Sequence, residues 1–492
     1  MGGIQRSSAR PRAETGERGR GRAASDGQDG WPVAVVGAGP AGLVAAITLA
    51  RAGIRTLVLN RRTAVFSHPR ATVVSLRSME LFRSWGLEEA LSAGGTDVDW
   101  RMLVAPTLSD ASTGELIEVG YPSRRESALI SPTRPGCVPQ DHLETVLLDH
   151  LRTLPAADVE LGVRVEGVRA GGTDYLLRLR DAASGASREI RASYVIGADG
   201  GRSVVRQSLR IGATVVDGLL RSSSAVIHAP LWDVVGPSRY GIYVTEEPES
   251  GTFLPAGYGD RWLYGFSSQE RVVALTTDQM IARIRVAAGV PDLAVRVVDQ
   301  RRFSFAAAIA DRFRAGRAFL VGDAAHRVTP RGGTGMNTAI ADAYNLGWKV
   351  SWVLQGWVTD ELLDTYEVER RPVAEHNMAR SLDPMGSRRT VAEEVRVDLG
   401  GRLPHVWLDT PGGRVSSLDL LGPGLTRLVP GDLPMDPDDP LGGPPIIVRR
   451  IDRAAAARLG ADQPGGLLLR PDGVSWRTSN SVRDRADDDR AA

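Results

Sequence analysis

Residues 320–337 read Leu320-Val321-Gly322-Asp323-Ala324-Ala325-His326-Arg327-Val328-Thr329-Pro330-Arg331-Gly332-Gly333-Thr334-Gly335-Met336-Asn337, and an apolar run follows that ends near Gly356. Ala318 to Val321 read as a short buried strand, and Gly322 lets the backbone turn sharply after it. Asp323 then carries a carboxylate off the strand end, where it can accept hydrogen bonds from hydroxyl groups. It suits a polyol, not a metal. Pro330, Gly332, Gly333 and Gly335 make a loop of little side-chain bulk, and Met336, Ala339, Ile340, Ala343, Gly347, Val350 and Leu354 recur at helical spacing. The loop therefore delivers the backbone N–H groups of Gly335, Met336 and Asn337 at a helix N-terminus, which favours negative charge by roughly 0.3 to 1 kcal/mol in the open. An anionic ring edge would sit well there, and Gly356 is placed to end the helix.

Two further stretches have the same strand, turn and helix order. Val33 to Val36 read as a buried strand, followed by Gly37-Ala38-Gly39-Pro40-Ala41-Gly42 and an apolar helix to about Ala52. Gly37 permits the tight turn, Gly39 lets the backbone approach a pyrophosphate, and Gly42 allows close helix packing, so the whole turn with Pro40 and Ala41 is a dinucleotide cradle. Alone it leaves FAD against NAD open. Thr56 to Leu59 form the second strand, which ends at Asn60, where an acid normally holds the ribose hydroxyls. An amide can make those bonds without charge. Arg61 and Arg62 follow and could hold a 2′-phosphate, hence NADP. The third stretch is Tyr194 to Ser203, with Asp199-Gly200 at its turn.

Gly322-Asp323-Ala-Ala-His326, then Pro330-Arg-Gly-Gly-Thr-Gly-Met-Asn337, then Asp342-Ala-Tyr-Asn-Leu-Gly-Trp-Lys349 closely resembles the second flavin-binding signature of the aromatic-hydroxylase family of single-component FAD monooxygenases, of which p-hydroxybenzoate hydroxylase is the type. The resemblance implies FAD at the glycine-rich turn, which sets NADP there aside. It also implies that Arg70 of His68-Pro-Arg-Ala71 meets the FAD, that Gln140 lies beside the flavin chain, and that Val165 lies near the adenine. Asp199-Gly200 resembles the family's middle motif, associated with both the FAD pyrophosphate and the nicotinamide. The implied chemistry is reduction of FAD by NADPH or NADH as a transient co-substrate, reaction with O2, and transfer of one oxygen atom from a flavin C4a-hydroperoxide to an aromatic ring. Baeyer–Villiger insertion and epoxidation use the same intermediate. A non-catalytic flavin-binding protein is the reading of another class. A flavin halogenase needs a lysine by the flavin, and Lys349, the only lysine, lies in the helical Asn-Leu-Gly-Trp-Lys element instead. No catalytic base can be singled out from sequence, and no Gly-x-Ser-x-Gly or triad motif is visible.

With 492 residues the chain is too long for one core. The expected architecture is α/β: a Rossmann-like FAD-binding domain of the glutathione-reductase type over 31–210 and 306–395, with 100–135 reaching toward a sheet-rich substrate domain at 211–305. A thioredoxin-like C-terminal domain, as in the polyketide-tailoring branch of the family, is expected at 396–480, between disordered ends at 1–30 and 481–492. Tyr240, Phe253 and Trp262 could line a pocket of the substrate domain, although strand aromatics more often belong to the core. A net charge of +1 gives no nucleic-acid or membrane footprint. Cys137 is the only cysteine, which excludes an internal disulfide and a CxxC redox pair, and the seven histidines show no metal-ligand spacing. The start lacks the apolar core of a secretory signal, so the expectation is a cytoplasmic monomer or homodimer acting on a small aromatic molecule.

Overall fold

A computed structural model describes residues 30–218, 220–237, 239–246, 249–268, 274–431 and 443–476. The expected disordered ends fall almost wholly outside these residues. The first sheet has a parallel core in which Trp31–Val36 lies between Thr56–Asn60 and Ser187–Gly197, with Ala157–Leu161 beyond the former and Ala318–Leu320 beyond the latter. Its central strands are continuous apolar runs, packed by helix Pro40–Arg51 and by strand Val163–Ala170, which leaves Val33, Ala34, Val35 and Val58 fully buried. Helix Pro40–Arg51 is buried from Ala41 to Ala50 and lies against the long helix Gly335–Leu354. A Cβ on Gly347 would meet Thr48 Cβ at 2.8 Å, so the close crossing of these two helices requires that glycine.

Residues 157–170 form two strands, Ala157–Leu161 and Val163–Ala170, because Gly162 turns the chain at φ +78° and donates its N–H to the Arg62 carbonyl at 3.0 Å. Helix Leu76–Ser84 is capped by the Ser75 hydroxyl, and Trp85 lies just past its end.

The second sheet has seven strands in the order Arg296–Ser304, Arg221–His228, Arg261–Ser268, Gly251–Pro255, Tyr240–Thr245, Asp99–Ala105 and Glu115–Glu118. Residues 100–135, which show no period in sequence, thus supply its last two strands and a short helix, Arg124–Ile130, closed by a Ser123/Glu126 capping box. Alternation decides its faces. Leu103, Ala225, Ile227, Tyr243, Phe253, Trp262 and Tyr264 form a core with Met280 and Ile284 of helix Thr277–Ala288. Tyr240 packs at the edge of that core, so all three strand aromatics are structural.

The C-terminal region contains a three-stranded sheet in which Leu425–Pro430 pairs in parallel with Ile446–Ile451 and antiparallel with Leu467–Leu469, one helix, Arg453–Leu459, and a hairpin, Trp407–Thr410 with Gly413–Ser416. Only this part of the expected thioredoxin-like pattern lies among the described residues. A chain of charges docks the region: Lys349, fully buried on the long helix, lies 3.0 Å from Glu369, which accepts from Arg470 at 2.8 Å, and Arg470 pairs with Asp472 at 2.6 Å. Burial alone would raise the Glu369 carboxyl, but the Lys349 and Arg470 cations outweigh it and hold it at about 2. Burial likewise brings the Lys349 ammonium down to about 8.

Glu369→Gln is therefore expected to destabilise the fold by about 3 to 5 kcal/mol, since it strands a buried lysine. Because the folded-state carboxyl is depressed and Lys349 titrates at about 8, the gap between wild type and variant should be widest from about pH 5 to 7, narrow above about pH 8 as the lysine loses its proton in the wild type too, and close as the pH falls toward 2. Urea unfolding of both proteins across that range checks this.

Candidate active site

The parallel register brings three sequence motifs to one edge of the first sheet. Val36 pairs with Gly197 and Gly197 with Leu320, so Gly37, Ala198-Asp199 and Gly322-Asp323 emerge side by side at the carboxyl ends of their strands. Ligands of open α/β sheets bind in the crevice at such ends. Gly37 takes φ +110°, and a Cβ there would lie 2.3 Å from the Ala198 carbonyl oxygen. A Cβ on Gly42 would lie 1.9 Å from the Gly37 oxygen. Pro40 opens the first helix, and Ala41 is buried where a Cβ on Gly322 would come 3.3 Å from Ala41 and 2.8 Å from Ala339. Gly39 differs from all of these. Nothing lies within 4 Å of where its Cβ would be, so its backbone faces open space.

Asp199 and the long helix add polar groups that lack protein partners. Asp199 Oδ2 caps helix Val204–Ser208, accepting from the Val204 and Val205 amides at 2.6 and 3.2 Å, while its Oδ1 is buried without a partner. Burial pushes its carboxyl above the usual range. Thr338 donates to the Thr334 carbonyl at 2.9 Å, which leaves the amides of Gly335, Met336 and Asn337 without helical acceptors. The buried Thr334 hydroxyl beside them is also unpartnered. Asn337 offers only its backbone there, because its amide oxygen accepts from the Ser75 N–H at 2.8 Å and the Ser78 hydroxyl at 3.0 Å and its nitrogen donates to Val73.

The loop between Thr329 and Gly335 is braced by residues that sequence reasoning missed. The Thr329 hydroxyl donates to the Ser381 carbonyl at 2.7 Å, Gly332 N–H to the Ser387 hydroxyl at 3.1 Å, and Arg389 to the Gly332 carbonyl at 2.9 Å. The Tyr121 hydroxyl donates to the Gly333 carbonyl at 3.3 Å. Pro330 turns the loop, its carbonyl accepting from Gly333 N–H at 3.2 Å. Behind the Gly322 turn, Asp342 is fully buried and accepts from Gly322 N–H at 3.3 Å, His326 Nε2 at 2.5 Å and Arg370 Nε at 2.8 Å. One signal did point to it: an aspartate within the apolar arc of a helix needs partners.

The remaining expected site residues are placed less directly. Asn60 accepts from Ala38 N–H at 3.4 Å and donates to the Arg62 carbonyl at 3.2 Å, so its amide ties the second strand to the glycine turn. Arg61 is exposed, whereas its neighbour Arg62 is half-buried against the Phe66 ring at 4.2 Å. Arg70 is exposed, 5.9 Å from the same ring. The Gln140 amide donates to Glu144 at 2.7 Å, whose carboxyl burial pushes up. Val165 is buried within the main core.

Residues 31–381 match the family model described as FAD binding domain. The chain belongs to this family. It is 33% identical to an aklavinone 12-hydroxylase of Streptomyces purpurascens over 92% of this chain and 96% of that protein. It is 32% identical to a 4-methyl-5-nitrocatechol 5-monooxygenase of a Burkholderia species, over 94% and 96% of the two chains. A solved ternary complex of an aklavinone-11 hydroxylase with FAD and aklavinone superimposes with a TM-score of 0.79 at 29% identity, covering 94% of this chain and 98% of that one. The protein is an FAD-dependent monooxygenase of the aromatic-hydroxylase type. The crevice fits its cofactor: a side-chain-free backbone at Gly39, an unpaired acceptor on Asp199, and free amides with an unpaired hydroxyl at the helix start. Among the described residues no cluster could hold a metal ion, and no helix is long and apolar enough to cross a membrane.

Gly39→Ala tests the fit. The protein itself has room for the methyl group, so apoprotein stability should be unchanged, while FAD affinity should fall because the methyl intrudes where the pyrophosphate approaches. Thermal melts of the apoprotein and flavin fluorescence titration separate the two effects.

Proposed function

We propose that this chain hydroxylates a flat, polycyclic, phenolic substrate of the polyketide type, using NADPH or NADH as electron donor and one atom of O2. The observation that carries the substrate class is the second face of the seven-stranded sheet. Leu263, Leu254, Val244 and Val104 lie on four adjacent strands, all on the face opposite the core and all only half-buried. At about 4.8 Å between strands they span about 14 Å of apolar floor, which matches a fused multi-ring system better than a single ring. Cys137 Sγ donates to the Pro255 carbonyl at 3.6 Å and Thr96 to the Gly257 carbonyl at 2.6 Å, so the floor is turned toward the flavin-binding unit.

FAD, once reduced, supplies activated oxygen. The residues of this chain would hold and screen it. The turn from Gly37 to Gly42 takes the pyrophosphate, Asn60, Arg61 and Arg62 flank the adenosine side, and Asp323 accepts from the ribityl hydroxyls. The amides of Gly335, Met336 and Asn337 hold the anionic ring edge, braced through Pro330, Tyr121 and Arg389. The apolar floor keeps water from the reacting centre. Arg70, Gln140 at the start of helix Gln140–Thr153, and Asp199 at the turn after Ser187–Gly197 would complete the cofactor's surroundings.

Asp323→Ala should weaken FAD binding by about 1.5 to 3 kcal/mol, roughly tenfold to a hundredfold, without unfolding the protein. Fluorescence titration checks it, and unchanged affinity would remove Asp323 from the site. The function is tested by a panel of hydroxylated anthraquinones and tetracyclic polyketides with 18O2, reading nicotinamide oxidation and product mass. Stimulated oxidation with one labelled oxygen in the product is expected. Full FAD occupancy without stimulation across the panel would refute the reading.

A further inference from the structure

The sheet face that forms the apolar floor also carries a polar arrangement that no flavin motif uses. His68, in the loop after Thr56–Asn60, presses on it with Nδ1 3.0 Å from Asp299 Oδ2 and Nε2 3.1 Å from Ser224 Oγ. Ser224 and Asp299 belong to neighbouring strands: Ser224 pairs with Arg301 and Val226 with Asp299, which puts both side chains on the face opposite the Ala225 and Ile227 core. Across from Ser224 on the next strand stands Gly265, followed by Thr252, and Leu263 and Leu254 are one step along. No side chain at position 265 separates the Ser224 hydroxyl from the floor. Ser224 and His68 are each 5% exposed, whereas the Asp299 side chain is 28% exposed, so the row runs from the interior toward solvent.

The charges set the direction of proton flow. Burial lowers the His68 imidazole, against the hydrogen bond and charge of Asp299. Burial would raise Asp299, but Arg301 and His68 outweigh it and hold the carboxyl below its usual range. Arg301, which donates to Asp299 at 2.8 Å, and Arg261, paired with Asp141 at 2.6 Å, are the other charges that face the ring, and both oppose a standing imidazolium. An ionised Asp299 therefore takes Nδ1–H, and the free Nε2 accepts from the Ser224 hydroxyl. Ser224 is left with oxygen lone pairs and its only hydrogen committed.

We propose that Ser224, His68 and Asp299 form a proton relay that removes the proton of a phenolic hydroxyl lying on the apolar floor and passes it to solvent. The phenol O–H bond breaks as its proton moves to Ser224 Oγ, Ser224 gives its own proton to His68 Nε2, and the imidazolium beside Asp299 returns one proton to water. One proton moves and no electrons do. The resulting phenolate is the more electron-rich ring and the better acceptor of electrophilic oxygen. Ser224 touches the substrate, and His68 and Asp299 act through it. The proposal rests on the phenolic substrate reading above.

The test uses the holoenzyme and the hydroxyanthraquinone that best stimulates the wild type, because such rings absorb at longer wavelength when ionised. In the wild-type complex the bound phenol should ionise at lower pH than the free compound. In His68→Gln, at unchanged FAD occupancy, it should ionise at or above the free value, and kcat near pH 7 should fall about a hundredfold and recover as the pH approaches the phenol's own pKa. Asp299→Asn should shift the profile the same way by less, and added imidazole should restore His68→Ala. If His68 variants lose FAD, Ser224→Ala carries the same expectation. Superimposable titrations and kcat profiles in wild type and variant would reduce the trio to a contact between the two sheets. A wild type inert to the whole panel removes the substrate reading and the relay together, whereas wild-type turnover with an unshifted variant removes the relay alone.

Discussion

A single buried carboxylate holds the cofactor crevice together. Asp342 sits on the long helix with no solvent exposure, and its three donors come from three places: the Gly322 turn, His326 after it, and Arg370 on helix Thr365–Leu382. Burial would raise that carboxyl, but His326 and Arg370 outweigh the effect and keep it below its usual range. A buried charge of this kind is tolerated only while all its partners are in place. The same contacts fix where Asp323 leaves the strand and where the long helix begins. The glycine turn, through the contact between Gly322 and Ala41, is positioned against both.

Much of this was legible in sequence because the motifs are made of backbone requirements. Gly37 needs positive φ and Gly42 needs closeness, so the residue type reports the geometry directly. The first sheet, the long helix and most strands of the second sheet follow from apolar runs and alternation. Three things were not legible, each for a physical reason. Asp99–Ala105 and Glu115–Glu118 join a sheet whose other strands begin a hundred residues later, and no local pattern encodes that pairing. Arg389 and Tyr121 act on the loop at Gly332 and Gly333 from far along the chain in opposite directions. Ser224 is the last of three consecutive serines, and only the parity of the sheet separates it from Ser223, which faces the core.

The two faces of the second sheet divide its tasks. The face under helix Thr277–Ala288 is packed with aromatics whose ring centroids lie 4.4 to 5.9 Å apart for Trp232, Trp262 and Tyr243. It is rigid. The opposite face carries half-buried aliphatic residues on four adjacent strands and meets His68 at Ser224. The packed face backs the aliphatic one, so the floor proposed for the substrate rests on a filled core.

The origin of the second sheet's strands bears on how this enzyme could change its substrate. The chain visits that sheet twice, at 99–118 and again at 221–304, with much of the flavin-binding sheet in between. No contiguous cassette therefore contains the floor. A segment cut from 211–305 would lack the two strands beside Tyr240–Thr245 and expose that strand's backbone as a bare edge open to intermolecular pairing. Substrate range in a protein built this way is inherited by point substitution on a retained scaffold rather than by exchange of modules, and recombination between relatives preserves the floor only when both visits come from the same parent.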